Sequence, residues 1–342
     1  MIRSITLTFF IFYFFISCQD NKVEKEKSEI YILSQKIDKN PNNKDFIYQR
    51  AQYNKQKTNL ESALFDLKKC VELDSLNDIY HFELGNIYFE LSKNSNAKPE
   101  YPFLAKNHLE KAIELNHQNF KYTALLGELF LSYTRYKESI KLFNHSLDIS
   151  YNQPRIHMLM GYAFKQLGKE EQAIDCFRNS INIDPEFREA FVQLGNIFHL
   201  RKDTSAIIYY DNALKLDSND EITLYNKALF YQDMMDWNNA LDAYSELHKK
   251  SPFHSSGHYN LGFIHMELGL YDIATNNFSD AIYSNSEFFE AYYSRGICFQ
   301  KLGNIKQAEI DFNRAIEINP NYTFAVDALE NLMLDNKKFI RK

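Results

Sequence analysis

PRIHMLMGYAFKQLGKEEQAIDCFRNSINIDPEF, residues 154–187, and FEAYYSRGICFQKLGNIKQAEIDFNRAIEINPNY, residues 289–322, are 34-residue stretches built to one plan. Each has a glycine inside a first apolar helical pattern (Gly161, Gly296) and another seven residues on (Gly168, Gly303). An alanine follows (Ala173, Ala308), then a phenylalanine (Phe177, Phe312) and a proline near the end (Pro185, Pro320). Apolar residues recur at helical spacing on both sides of the second glycine, so each stretch predicts two helices joined by a tight turn.

The plan extends in both directions. Small residues stand at Ala51, Gly85, Gly127, Gly161, Gly195, Ala228, Gly262 and Gly296, at spacings of 34, 42, 34, 34, 33, 34 and 34. A second small residue follows at Ala63, Ser139, Ala173, Ala240, Ala274 and Ala308, with Ala105 and Ala206 displaced in the long and short copies. Then come Leu67, Leu109, Phe143, Phe177, Tyr210, Tyr244, Phe278 and Phe312. Small residues let two antiparallel helix axes approach and the large side chains fill what remains. One such pair cannot bury its apolar faces alone, and stacked pairs share a continuous core.

These offsets resemble the tetratricopeptide repeat (TPR), and the resemblance runs over about four-fifths of the chain, with repeats at 44–77, 78–119, 120–153, 154–187, 188–220, 221–254, 255–288 and 289–322. It implies an all-α fold: a right-handed α-solenoid of about eight helix-turn-helix units, each with an A helix and a B helix, the A helices lining the concave side. Residues 29–43, with Ile30, Leu33 and Ile37 on one face, predict an N-terminal capping helix stopped by Pro41. Residues 323–342 predict a C-terminal solvating helix. The second repeat is eight residues longer than the rest, with its surplus between Lys93 and Pro102, a polar stretch suited to the surface.

In this repeat family ligand contacts come from a few A-helix positions. Carried onto this chain, they give a groove containing Tyr48, Phe82, Asn86, Phe89, Tyr162, Asn196, Tyr225, Tyr259, Phe263 and Tyr293. Amphipathic rings are economical interface anchors, so the groove is expected to bind a peptide or helix. The charges along it are mixed. The family's clamp for a chaperone C-terminus needs Lys, Arg and Asn; here Asn196, Asn226 and Asn260 are present, but Val192 and Ser256 replace basic residues.

Little else carries chemistry. Nine of the ten glycines belong to the repeat, which leaves none for a phosphate-binding loop. His254, His258 and His265 read as packing residues, Cys70, Cys176 and Cys298 as small core residues, and Trp237 as a packing residue near a turn. No catalytic, cofactor or metal residues are expected, and a net charge of −6 gives no reason to expect nucleic acid.

The N-terminus supplies an address. Residues 5–16 are apolar apart from two threonines, behind a single Arg3; a spanning helix takes about 20 such residues, so this has the length of a signal-peptide core. Ile16-Ser17-Cys18 resembles the lipobox of bacterial lipoproteins, which implies removal of residues 1–17, acylation of Cys18 and a polar tether over 18–28. A conventionally cleaved signal and an uncleaved short anchor are the alternatives. By the same resemblance Gln19, rather than Asp, after the cysteine points to the outer membrane. The expectation is a non-enzymatic scaffold: a lipid-anchored adaptor of the bacterial cell envelope that binds another envelope protein. A glycan or small molecule in the groove is the alternative.

Overall fold

The computed structural model describes residues 29–340, and all regular structure among them is helical. Helix α1 covers residues 29–39. Pairs follow: α2 Lys44–Gln56 with α3 Leu60–Leu73, α4 Asp78–Ser92 with α5 Tyr101–Leu115, and α6 Phe120–Ser132 with α7 Tyr136–Ile149. Then come α8 Pro154–Gln166, α9 Glu170–Ile183, α10 Arg188–Leu200 with α11 Ser205–Leu216, and α12 Glu221–Asp233 with α13 Trp237–Lys250. The last are α14 Ser255–Glu267 with α15 Tyr271–Ser284, α16 Phe289–Lys301 with α17 Ile305–Ile318, and the single helix α18 Thr323–Ile340. The chain forms two compact units, one ending at Ala173 and one beginning at Ile174, so the boundary falls inside α9. Within each unit a helix packs most heavily on the partner of its own pair and more lightly on the next pair. This is the repeated all-α solenoid architecture that the spacing predicts.

The small and large positions meet as the period requires. A Cβ built on Gly127 would lie 2.7 Å from the Phe143 ring, on Gly195 2.5 Å from Tyr210, on Gly262 2.7 Å from Phe278 and on Gly296 2.6 Å from Phe312. The rings of Phe143, Tyr210, Tyr244, Phe278 and Phe312 are fully buried, so the seam between the helices of a pair is the core. In the first unit Gly85 closes on Leu109 instead, at 2.8 Å.

Every three-residue A-to-B connection has one residue in the left-handed region. Gly168, Gly269 and Gly303 take it, and so do Thr58, Thr134 and Met235; Lys202 does the same in the four-residue connection of the fifth repeat. Such a residue ends an α-helix and reverses the chain, and a side chain there costs free energy that glycine does not.

The long second repeat distributes its surplus. Helix α4 has 15 residues where α2 has 13, α5 has 15 where α3 has 14, and only residues 93–100 form the connection. Tyr101 and Pro102, expected within the insertion, instead open α5, where a proline in the first turn loses no hydrogen bond. Trp237, expected near the turn, is the first residue of α13.

Among the described residues no helix is long and apolar enough to cross a membrane. Cys18, the apolar stretch 5–16 and the tether 18–28 lie outside the described residues.

Candidate binding surface

The expected groove residues sit on the A helices, and the structure shows how much of each is available. In the first unit Tyr48 is half-buried with its ring 5.2 Å from Tyr80, and Phe82 lies 4.8 Å from Tyr122. Both rings therefore bridge neighbouring A helices. Burial, with Glu83 nearby, pushes the Tyr48 hydroxyl up to about 12, so it stays neutral and able to donate. Asn86 is partly exposed and Tyr162 is 40% exposed. Phe89 is a correction: it is only 3% exposed and packs in the core of the first unit, with Lys93 Nζ 4.2 Å from its ring centroid, so it offers a partner little surface. Its wall and Tyr162, with Glu128, Leu131 and Leu159, line a shallow cleft of about 410 Å³.

In the second unit Tyr225, Tyr259, Phe263 and Tyr293 are half-buried on α12, α14 and α16. The Tyr225 ring lies 5.0 Å from His254, Tyr259 sits between Phe278 at 5.5 Å and Phe288 at 5.0 Å, and Tyr293 lies 5.4 Å from Tyr322 and 6.0 Å from Phe312. The three tyrosine rings are each held by packing against neighbouring rings.

The polar residues are committed to one another. Where the B-helix packing residue is Tyr instead of Phe, its hydroxyl must find a partner. Tyr210 Oη donates to Asn196 Oδ1 at 2.9 Å, and Asn226 Nδ2 donates to the same oxygen at 3.1 Å. Tyr244 Oη donates to Gln232 Oε1 at 2.8 Å and accepts from Asn260 Nδ2 at 2.8 Å, and Asn260 Nδ2 also lies 3.2 Å from Tyr225 Oη. The three asparagines that approximate the carboxylate clamp are thus occupied, and Asn260 is 8% exposed. Burial raises the Tyr210 and Tyr244 hydroxyls well above the phenol range.

The groove charges are largely paired as well. Lys55 Nζ lies 2.6 Å from Glu83, Arg155 holds Glu128 at 2.8 Å, Lys93 holds Glu90 at 2.6 Å, and His199 Nε2 lies 2.8 Å from Asp233. Exposed pairs of this kind steer a partner weakly.

The histidines have structural employment that sequence reasoning identified only in outline. His254 caps α14, its Nδ1 accepting from the Gly257 N–H at 3.0 Å, and His265 Nδ1 lies 2.9 Å from Asn277 Oδ1. His258 Nε2 donates to the Pro252 carbonyl, as His81 does to Ser75 and His157 to Tyr151, each reaching six residues back across the preceding connection. The signal for this lock was a histidine at the fourth position of three A helices.

His81 also meets His108 through their Nδ1 atoms at 3.0 Å. Because the Ser75 carbonyl takes the proton on His81 Nε2, His81 Nδ1 accepts and His108 Nδ1 donates. Burial, with His81 and then Lys68 adding to it, lowers His108 to about 4.

Cys70, Cys176 and Cys298 are buried, with their thiols pushed up to about 12 by burial, so they are protonated and unreactive at neutral pH. Among the described residues no three His, Cys, Asp or Glu side chains converge to hold a metal.

Residues 154–187 and 289–322, which hold the pairs α8–α9 and α16–α17, each match a family model described as tetratricopeptide repeat. The chain is 24% identical over 283 residues to TPR repeat-containing protein MJ1428 of Methanocaldococcus jannaschii, covering 76% of this chain and 49% of that protein. It is 24% identical over 259 residues to the human Protein O-mannosyl-transferase TMTC3, covering 74% of this chain and 25% of that protein. Among solved structures, Pseudomonas aeruginosa pilF matches with a TM-score of 0.52 at 19% identity, over 61% of this chain and 92% of that one, a likeness of fold. The chain spans about half or less of the length of the curated relatives it matches first.

Proposed function

We propose that the chain is a non-enzymatic adaptor, held at the bacterial cell envelope by acyl chains on Cys18, that grips a peptide or helical segment of another envelope protein along its A helices. Proteins of this repeat class generally act as protein–protein interaction scaffolds. The observation that carries the reading is the series Tyr225, Tyr259 and Tyr293, one ring per successive A helix of the second unit, each half-buried and held by packing against neighbouring rings. A ring already immobilised by packing loses little conformational entropy when a partner covers it. The match to a transferase spans a quarter of that protein and brings no activity with it. Support for the address comes from the sequence Ile16-Ser17-Cys18 behind its short apolar stretch.

The test is in-cell crosslinking of the full protein beside a variant with Tyr225, Tyr259 and Tyr293 changed to Ala, once the variant's helicity has been checked. Selective loss of one envelope protein is expected; identical crosslinking patterns would remove the groove. Acyl labelling should vanish in Cys18→Ala, and labelling that persists would remove Cys18 as the acceptor.

A further inference from the structure

Helix α1 is more than a cap. Four residues, 40–43, separate it from α2, the length that separates α3 from α4 and α15 from α16. Pro41 stands where Pro185, Pro252 and Pro320 stand at the ends of their repeats. The side chains agree. Arg50 of α2 donates to Asp66 of α3 at 2.8 and 2.7 Å and to Ser34 of α1 at 3.3 Å. In the second unit Arg295 of α16 donates to Asp311 of α17 at 2.8 Å twice and to Ser279 of α15 at 2.9 Å. Each residue of one triad holds the repeat position of its counterpart, so α1 corresponds to α15 and is a B helix.

A B helix implies an A helix beside it. Helix α14 fills that place against α15 and touches α16. Among the described residues the corresponding place against α1 and α2 is an open cleft of about 710 Å³ lined by Ile32, Leu33, Lys36, Tyr48, Gln49 and Gln52 among others. Leu33 is at the position of Leu109, against which Gly85 closes. Ile32 is 48% exposed, and Gln52 Nε2 is buried without a hydrogen-bond partner. Gln49 is at the position of Glu83, Asn226, Asn260 and Ser294, each of which reaches the preceding A helix: Lys55 at 2.6 Å, Asn196 at 3.1 Å, Tyr225 at 3.2 Å and Tyr259 at 3.5 Å.

We infer that α1 and α2 form a half-repeat whose A-helix seat receives an amphipathic helix from a partner protein, with a small residue turned towards Leu33 and hydrogen-bonding side chains for Gln49 and Gln52. The inference rests on processing at Cys18. From Cys18 only 11 residues precede residue 29, whereas an A helix with its turn takes 13 and three residues elsewhere in this chain, so the tether left by processing is too short to supply that helix.

The probe is a labelled peptide of residues 255–267, the α14 sequence, whose own seat carries the Ser279–Arg295–Asp311 triad. With the lipidated mature protein in micelles, saturable binding is expected, weakened tenfold or more by Ile32→Asp in the protein or Gly262→Leu in the peptide, and unaltered by Tyr283→Ser, an exposed change in the second unit. Absence of saturable binding, or binding indifferent to Ile32→Asp, overturns the inference. As a second measurement, residues 255–270 are grafted directly ahead of residue 26. The graft should slow amide exchange in α1 at least tenfold, and unchanged exchange also overturns it. The anchoring reading is followed separately by mass and acyl labelling. Retention of residues 1–17 would end both, whereas an unacylated chain cut before residue 18 that still binds the peptide would end anchoring alone.

Discussion

The segment α1–α3 and the segment α15–α17 carry the same Ser–Arg–Asp arrangement, yet α14 lies on the second and an open cleft on the first. Asp66 and Asp311 are both nearly inaccessible, at 3% side-chain exposure, and Arg50 and Arg295 are similar at 22% and 19%. The seam from an A helix to its own B helix and back to the preceding B helix is therefore complete without the preceding A helix. What the missing helix would supply is cover for Ile32 and a partner for Gln52, which bear on recognition more than on folding.

The largest effect expected from breaking this equivalence is at the arginines. Arg50→Ala and Arg295→Ala each leave an almost buried carboxylate unpaired, at a cost of about 3–5 kcal/mol in local stability, read by native-state amide exchange of α3 and α17. A cost at Arg50 below half that at Arg295 would deny α1 its B-helix role. Gly262→Leu drives a side chain into the Phe278 ring from a Cβ already at 2.7 Å, at a cost of about 1–3 kcal/mol or more. Gly85→Ala should cost less, because it adds a single carbon, 2.8 Å from Leu109 Cγ and 3.2 Å from the Ala105 carbonyl oxygen, where Gly262→Leu adds a whole side chain; denaturant melts compare them. Tyr244→Phe removes a hydroxyl that serves both Gln232 and Asn260, with an expected loss of about 1–2 kcal/mol. Met235→Gly should stabilise by about 1 kcal/mol, by relieving a left-handed residue that Gly168 and Gly303 occupy without strain. A fall in melting temperature would refute that.

His108 adds a pH dependence confined to the first unit. Its folded pKa, about 4, lies below the ordinary histidine value of 6.5, so between those limits the unfolded chain binds a proton that the folded chain refuses. Stability contributed here is whole above pH 6.5 and is lost as pH falls towards 4. His108→Gln should flatten that stretch of the stability profile, measured as melting temperature against pH.

Much of the fold was legible because one period governs it: Gly127, Gly195, Gly262 and Gly296 each sit opposite the ring that their spacing assigns. The turn glycines were legible for the same reason. Thr58, Thr134, Lys202 and Met235 were not, since nothing in those residue types favours a positive φ and the stacked pairs impose it. The groove was legible as positions but not as availability. Phe89 keeps only an edge of its ring at the cleft beside Tyr162, and Asn196, Asn226 and Asn260 answer hydroxyls on Tyr210 and Tyr244 that a tally of groove residues does not include. Helix α1 read as a cap because its apolar face was visible, whereas its kinship with α15 needed the Ser34–Arg50 contact.

The bonds from Tyr210 through Asn196 to Asn226, and from Tyr244 through Asn260 to Tyr225, cross from one repeat to the next. Units so joined have fixed neighbours. Gene duplication or recombination that placed the fifth repeat beside the eighth would keep the spacing of the plan and still separate Asn196 from Asn226. The order of these units is thus written in their amides and phenols, as their spacing is written in small residues.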